Sequence, residues 1–148
     1  MHPLNLPTYK FKIKSNENKY FIFDIVRKKY VSLTPEEWVR QHIVRYLVEE
    51  KKYPISLITI EKKLTINKLT KRTDIVVFNT DGLPHIIVEC KAASVNINQD
   101  AFDQIARYNL KLKANYLFVS NGLNHYYCKM DIENETYIFL ETIPKYNS

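Results

Sequence analysis

The spacing of apolar and polar residues predicts a small β unit at the start of the chain, followed by a helix. Residues 9–14 and 20–25 alternate apolar and polar positions on either side of a polar stretch, a pattern typical of a β-hairpin. A helix is expected from Pro35 to about Lys51, because Thr34 suits an N-cap and proline suits the first helical position. The first third of the chain therefore combines a hairpin with one long helix.

The remainder of the chain is predicted to contain strands and one further helix. Short runs of β-branched and aromatic residues, bounded by turn signals, indicate the strands. The expected strands cover residues 55–64, 72–78, 86–91, 114–120, 125–130 and 136–141. Asn96 or Asn98 is expected to cap a second helix over about residues 99–112. The order helix, three strands, helix and further strands predicts an α/β fold with a mixed sheet flanked by helices.

Two of the predicted strands carry charged residues among apolar neighbours. One holds Asp74, and the next holds Glu89 and Lys91. Side chains alternate faces along a strand, so Glu89 and Lys91 point the same way. The Asp81-Gly82 turn favours an antiparallel pairing that brings Asp74 toward them. Two carboxylates and an ammonium group in one place favour a divalent-cation site suited to metal-assisted phosphodiester hydrolysis.

Two structural alternatives compete with this interpretation. A Glu-x-Lys sequence on a strand is usually part of a solvated face. Residues 86–90 are apolar except for Glu89, however, and continuous apolar strands tend to be covered on both faces. The second alternative is that Asp74 and Lys91 form a buried ion pair with a purely structural role, which predicts no metal binding.

The first predicted helix offers two candidate glutamates. Glu37 stands where a capping-box glutamate bonds back to the backbone of Thr34. Glu36 falls on one helical stripe with Arg40 that continues into the apolar face. We therefore expect Glu36 to face the sheet, where it supports a metal or holds Arg40, with Glu37 as the alternative.

The second predicted helix carries a polar pair on one face. Gln104 and Tyr108 lie four residues apart, which places them side by side on a helix. Such a pair is also compatible with a tyrosine in the core. Because it follows Asp74 and the Glu89 strand in the chain, we expect it to bind a phosphate or to orient Lys91.

The composition adds a polyanionic partner to this picture. The net charge is +6 and the pI about 9.2, with Lys and Arg clusters interleaved with tyrosines. No apolar stretch is long enough to span a bilayer and no signal-peptide core is present, so a cytoplasmic protein without membrane contact is expected. Cys90 and Cys128 have no metal-ligand spacing and are expected to be buried free thiols. The length of 148 residues suits one domain.

These residues resemble the PD-(D/E)XK nuclease superfamily. Asp74 followed by Glu89-Cys90-Lys91 is similar to its Asp and (Asp/Glu)-x-Lys motif, although Thr73 stands where proline is common. The segment from Gln104 to Tyr108 is similar to the Gln-x-x-x-Tyr motif of its RecB-like branch. More narrowly, residues 34–122 resemble the N-terminal nuclease domain of type I restriction enzyme R subunits. The resemblance implies a restriction-endonuclease-like αβββαβ core over about residues 30–130, with the hairpin of residues 9–25 outside it.

The resemblance also implies a Mg²⁺-dependent DNA endonuclease, in which Mn²⁺ can substitute. Asp74, Glu89 and the backbone carbonyl of Cys90 are then the expected metal ligands, and Lys91 is expected to position or activate the attacking water. Glu36, Gln104 and Tyr108 complete the expected catalytic set. The residues expected to contact DNA are Arg40, Arg72 and Arg107.

The sequence contains no motor motif to accompany this nuclease. It has two glycines and no Gly-x-x-x-x-Gly-Lys-(Ser/Thr) phosphate loop, so no nucleotide cofactor is expected on this chain. A nuclease that stands alone, acts as a homodimer or joins separate restriction or modification subunits is expected. The alternative is a catalytically inactive nucleic-acid-binding or assembly module with the same fold, against which the intact acidic pair and lysine argue.

Overall fold

The computed structural model describes residues 1–147 and contains a mixed α/β fold around one large sheet. The strands are β1 (Ile13–Asn16), β2 (Lys19–Asp24), β3 (Lys29–Ser32), β4 (Ile58–Ile60), β5 (Lys63–Ile66), β6 (Leu69–Arg72), β7 (Ile75–Phe78), β8 (Pro84–Cys90), β9 (Tyr116–Ser120), β10 (His125–Asp131) and β11 (Thr136–Leu140). The helices are α1 (Pro35–Glu49) and α2 (Gln99–Leu110). No helix of this described part is long and apolar enough to cross a membrane.

The central sheet has six strands in the order β11-β10-β9-β8-β7-β4. All neighbours pair antiparallel except β8 and β9, which are parallel because α2 forms the crossover between them. Setting the β5–β6 hairpin aside, the sequence α1-β4-β7-β8-α2-β9 is the predicted αβββαβ core. The mixed sheet flanked by helices is therefore confirmed.

The two faces of the sheet are buried by different helices. In β8, Ile86 and Val88 join a core cluster under α1, whereas Ile87 joins a second cluster under α2. All three residues are fully buried, and each such side chain contributes about 1.5–3 kcal/mol to folding. Coverage on both faces explains why β7 and β8 are nearly continuous apolar runs. It also means that a charge near these strands must have a partner.

Both helices begin where the sequence predicts. The Thr34 hydroxyl accepts a hydrogen bond from the backbone N–H of Glu37 at 3.0 Å, and the Asn98 side chain accepts one from Ala101 at 2.8 Å. These side chains satisfy backbone groups that have no partner inside the helix. Cys90 and Cys128 are both buried and free, as expected.

The N-terminal unit is larger than predicted, because β3 adds a third strand to the β1–β2 hairpin. The hairpin turn is formed by Glu17 and Asn18, whose φ values of 50° and 63° match the left-handed turn that joins two strands tightly. The local pattern predicts no strand between the hairpin of residues 9–25 and α1. β3 was missed because the turn that joins it to β2, residues 25–28, contains no glycine; its positive φ of 56° is at Lys28.

The single strand predicted over residues 55–64 is wrong. A 3-10 turn (Ile55–Leu57) precedes β4, and Glu61, with a φ of 54°, ends β4 before β5 begins. β5 and β6 then form a separate hairpin whose turn residues, Asn67 and Lys68, both have positive φ. The turn was missed because it lacks the glycine that usually marks such hairpins.

Candidate active site

The register of β7 and β8 brings the two predicted carboxylates together. Ile75 pairs with Val88, so the preceding residue, Asp74, lies opposite Glu89. One oxygen of Asp74 accepts a hydrogen bond from the backbone N–H of Cys90 at 2.8 Å. The predicted antiparallel pairing through the Asp-Gly turn is confirmed, and it places both acids at the same end of the two strands.

Arg40 of α1 is the counterion of Asp74. Its Nη2 lies 3.1 Å from Asp74 Oδ1, and its Nη1 lies 2.9 Å from Glu37 Oε1. Burial alone would lower the pKa of Arg40, but the carboxylates of Glu37 and Asp74 outweigh it and the pKa is raised. Arg40 therefore stays charged and fixes the Asp74 carboxylate against the sheet.

A buried polar network continues from Arg40 to the N-terminal sheet. Glu37 accepts hydrogen bonds from Arg27 at 2.8 Å and from Gln41 at 3.1 Å. Asp24, which is fully buried at the end of β2, accepts from Arg27 Nε at 2.6 Å and from Gln41 at 3.0 Å. The orientation of Asp74 thus depends on contacts that reach back to the turn between β2 and β3.

The structure corrects the assignment of the two helix glutamates. Glu37 is buried against Arg40, whereas the side chain of Glu36 is 49% exposed and lies 3.5 Å from Arg40. The Glu37 carboxylate does not bond back to Thr34, whose N–H donates to Ser32 instead. The sheet-facing stripe runs through residues 37, 40 and 44, so Glu36 keeps only its predicted contact with Arg40.

Glu89 is held from the opposite side of the sheet. It is 8% exposed, and its Oε1 accepts a hydrogen bond from Asn109 of α2 at 3.1 Å and pairs with the ammonium group of Lys71. Lys71 belongs to β6 and lies 4.8 Å over the ring of Tyr108. Burial lowers the pKa of Lys71; the charge of Asp74 opposes this shift and that of Lys91 adds to it. A cation from the β5–β6 hairpin is therefore the partner of Glu89.

Lys91 follows Glu89 at the end of β8 and is partly buried. Its backbone N–H donates to Ser120 at 2.8 Å, which ties the end of β8 to β9. Within residues 1–147 its ammonium group forms no ion pair. The structural alternative of an Asp74–Lys91 pair is therefore wrong, and Lys91 is the cation of this cluster that no carboxylate neutralises.

The remaining predicted residues are placed unequally. Tyr108 contacts Lys71 rather than Lys91. Gln104 is exposed, and its side chain forms no hydrogen bond with any part of the described chain. Arg40 is a correction among the predicted DNA contacts, because it is buried among carboxylates and cannot face a ligand. Arg72 and Arg107 are exposed.

Several residues of the site were not predicted. Three of them carry a signal in the sequence: a polar residue at the end of an apolar strand, a lysine shortly before Asp74, and an asparagine directly after the Gln-x-x-x-Tyr motif. The unpredicted residues are Asp24, Arg27, Gln41, Lys71 and Asn109.

The donor atoms at this site suit a hard divalent ion. Asp74 and Glu89 offer carboxylate oxygens, and Glu89 Oε2 accepts no hydrogen bond from residues 1–147. Among those residues, no group of three or more His, Cys, Asp or Glu is placed to hold a metal. Mg²⁺ is commonly held by one or two carboxylates together with water and substrate oxygens. The thiol of Cys90 is buried in the core under α1, so only its backbone lies at the site.

The fold and this site define a restriction-endonuclease-like domain. Over residues 35–144 the chain matches the family described as type I restriction enzyme R protein N terminus, and it belongs to that family. No protein of curated function matches the chain. The strands β1, β2 and β3 lie before the matched residues.

Proposed function

We propose that this chain is a Mg²⁺-dependent DNA endonuclease that hydrolyses phosphodiester bonds. The observation that supports the proposal most is the position of Asp74 opposite Glu89, with the unneutralised Lys91 two residues further on. The family of the chain supports a nuclease related to restriction enzymes. Mn²⁺ is expected to substitute for Mg²⁺, because both ions accept oxygen ligands.

The residues of the site divide the work of hydrolysis. Asp74, Glu89 and the backbone carbonyl of Cys90 would hold the metal. A divalent ion bound there would polarise a phosphate oxygen and lower the pKa of a bound water. Lys91, as a charged ammonium group, would position that water and stabilise the negative charge that develops on the phosphate. Arg40 acts as a positioning residue, because it fixes the Asp74 carboxylate.

Exposed basic residues supply the contacts to DNA in this proposal. Arg72 is exposed at the end of β6, and Arg107 lines an open cleft between the β5–β6 hairpin and α2. Lys111 and Lys113 line the same cleft. Lysine and arginine contacts to phosphates supply most of the sequence-independent affinity for DNA. Separate restriction or modification subunits, or a second copy of the chain, are the proposed protein partners.

A cleavage assay with a matched lysine control tests the proposal. Supercoiled plasmid is incubated with the protein in Mg²⁺, Mn²⁺ or EDTA, beside the Lys91→Ala and Lys129→Ala variants. Lys129 is an exposed lysine of β10. We expect metal-dependent nicking by the wild type and Lys129→Ala, and a loss of about 10²- to 10⁴-fold in Lys91→Ala. Full activity of Lys91→Ala would contradict its assigned role.

A catalytically inactive nucleic-acid-binding or assembly module is the second candidate. The observation that favours it is that both acids already have protein counterions, Arg40 and Lys71. This candidate predicts DNA binding without cleavage and no measurable Mn²⁺ binding by titration calorimetry. Metal binding that depends on Asp74 and Glu89 would argue against it.

A further inference from the structure

The N-terminal sheet has one face that packs on the protein and one that does not. The first face carries Ile22 and Asp24, which are fully buried, and Phe11, whose ring lies 5.5 Å from that of Trp38 in α1. The strand register puts the neighbouring residues of β1, β2 and β3 on the opposite face. This second face is called the outer face below.

The outer face combines aromatic rings with lysines. Its aromatic residues are Phe21, Phe23 and Tyr30, and none of them belongs to either core cluster of the described residues. Its lysines are Lys12, Lys14 and Lys19. The rings therefore lie outside both core clusters, and lysine ammonium groups lie over two of the rings.

The rings and the ammonium groups are already in contact. Lys14 Nζ lies 4.2 Å from the centre of the Tyr30 ring, and Lys12 Nζ lies 5.6 Å from that of Phe23. The rings of Phe23 and Tyr30 are 5.2 Å apart at an angle of 71°. A base that stacks on Tyr30 would take the place of the Lys14 ammonium group, which then lies beside the adjoining phosphate.

The N-terminal sheet and its flanking residues carry mostly positive charge. Residues 9–33 hold seven lysines and arginines against two acidic residues, so they account for +5 of the net charge of +6. One of the two acids, Asp24, is buried and paired with Arg27, which leaves Glu17 in the hairpin turn. The lysines of the outer face are thus complementary in charge to a polyanion. Its aromatic rings favour a polyanion that presents flat apolar surfaces.

We propose that the outer face of the β1–β3 sheet binds single-stranded DNA, with bases stacked on Phe21, Phe23 and Tyr30 and phosphates held by the lysines. Exposed sheets whose aromatic side chains stack successive bases bind single strands in this way, whereas a duplex hides the faces of its bases. The choice of DNA over RNA rests on the proposed nuclease function. The binding surface itself lies outside the residues that match the family.

A buried network connects the N-terminal sheet to the helix beside the candidate active site. The turn after β2 carries Arg27, which is bonded to Asp24 and to Glu37, and Glu37 in turn bonds Arg40 beside Asp74. The sheet is therefore fixed to the helix that supports the carboxylates. A DNA strand bound to the outer face is therefore held on a sheet that this buried network connects to α1.

The test measures binding without cleavage. The full chain in EDTA is titrated against a fluorescein-labelled oligo-dT of about 12 nucleotides, a length within the usual site sizes for such surfaces. Fluorescence anisotropy is compared for the single strand, its duplex and the equivalent oligo-rU. We expect the single-stranded DNA to bind more tightly than the duplex and the RNA, with a slope of log K against log salt of about −2 for three lysine contacts.

Variants on the two faces of the same sheet supply the controls. Tyr30→Ala should weaken binding about 5- to 100-fold, while Tyr30→Phe, which keeps the ring, should bind as the wild type does. Lys14→Ala should reduce the salt slope by about 0.7. Tyr20→Ala is the matched control, because Tyr20 is 61% exposed on the opposite face. Thermal unfolding by circular dichroism verifies that each variant is folded.

The outcomes separate this proposal from the nuclease. Equal weakening by Tyr20→Ala and Tyr30→Ala, preference for the duplex, preference for RNA, or no binding of the single strand would each overturn the proposed surface. Single-strand binding that depends on Tyr30, in a protein that cuts no DNA under any metal, would support the surface and contradict the nuclease.

Discussion

Asp74 and Glu89 face each other across β7 and β8, yet the contacts that hold them differ in burial and origin. Asp74 is fixed by a backbone N–H and by Arg40, which belongs to a buried network of charged residues. Glu89 is held by the amide of Asn109 and by Lys71, whose side chain is 23% exposed and comes from a two-stranded hairpin. Asp74, whose side chain is 22% exposed, therefore has its counterion in a buried network, whereas the more buried Glu89 has its counterion on a peripheral element.

This difference suggests separate roles for the two counterions. Arg40 bridges several carboxylates and keeps Asp74 oriented. Removing its charge would leave these carboxylates without a partner and would strongly destabilise the fold. Lys71 lies on β6, which pairs only with β5. The proposed metal would compete with Lys71 for Glu89, so we expect the Glu89 end of the site to adapt more readily than the Asp74 end.

The largest effect is expected when Arg40 is removed. Arg40→Met should reduce the free energy of unfolding by about 3–5 kcal/mol, because it leaves Glu37 and Asp74 without their shared cation. Urea denaturation followed by circular dichroism measures the loss. Arg45→Met is the control on the same helix and should cost less, because Arg45 bonds the half-exposed Glu49 and the Lys10 carbonyl but no buried carboxylate. Similar losses of unfolding free energy in both variants would show that the Arg40 network stabilises the fold no more than the contacts of Arg45 do.

A smaller effect is expected for Lys71, and it is a gain in metal affinity instead of a loss of stability. Lys71→Met removes a positive charge beside Glu89 and should tighten Mn²⁺ binding about tenfold, which corresponds to about 1.4 kcal/mol. Titration calorimetry measures the affinity, with Lys63→Met as a control because Lys63 is an exposed lysine of the same hairpin. Weaker binding by Lys71→Met would mean that Lys71 helps to form the site instead of competing for it.

The smallest effect is expected from pH at a histidine outside both ends of the site. His42 is buried against Trp38, and burial lowers its pKa, although a hydrogen bond to the Trp38 carbonyl opposes the shift. The folded state therefore binds this proton less readily than the unfolded state. The contribution of His42 to stability is present above its unfolded pKa of about 6.5 and is lost as the pH falls through the window below it.

Unfolding measured between neutral and mildly acidic pH tests this prediction. His42→Phe should remove that share of the acid sensitivity, whereas Lys129→Ala should leave it unchanged. An unaltered pH dependence in His42→Phe would assign the effect to other groups.

Local signals were sufficient for most of the fold. Thr34 and Asn98 are real caps, and the Asp81-Gly82 turn sets the pairing of β7 with β8. The β5–β6 hairpin and β3 were missed because the turns that precede β6 and β3 contain no glycine. The positions of the central carboxylates were therefore predictable, and the peripheral element that carries Lys71 was not.

The choice between Glu36 and Glu37 shows what the spacing of residues in the sequence cannot predict. Glu36 and Glu37 are adjacent, and both reach Arg40, so the choice between them depends on how α1 is rotated against the sheet. The packing of Val39, Ile43 and Leu47 sets that rotation. The helical period of the sequence predicts the rotation only to within about one residue. The same reason hides the contact between Glu89 and Asn109.

A Mn²⁺ titration of four proteins tests the metal site most directly. Wild type, Asp74→Asn, Glu89→Gln and Glu36→Gln are compared by calorimetry in the absence of DNA, after their folding has been verified. We predict that the wild type and Glu36→Gln bind Mn²⁺ alike and that the other two variants lose binding. Equal binding by all four proteins, or no binding by the wild type, would contradict a metal site formed by Asp74 and Glu89.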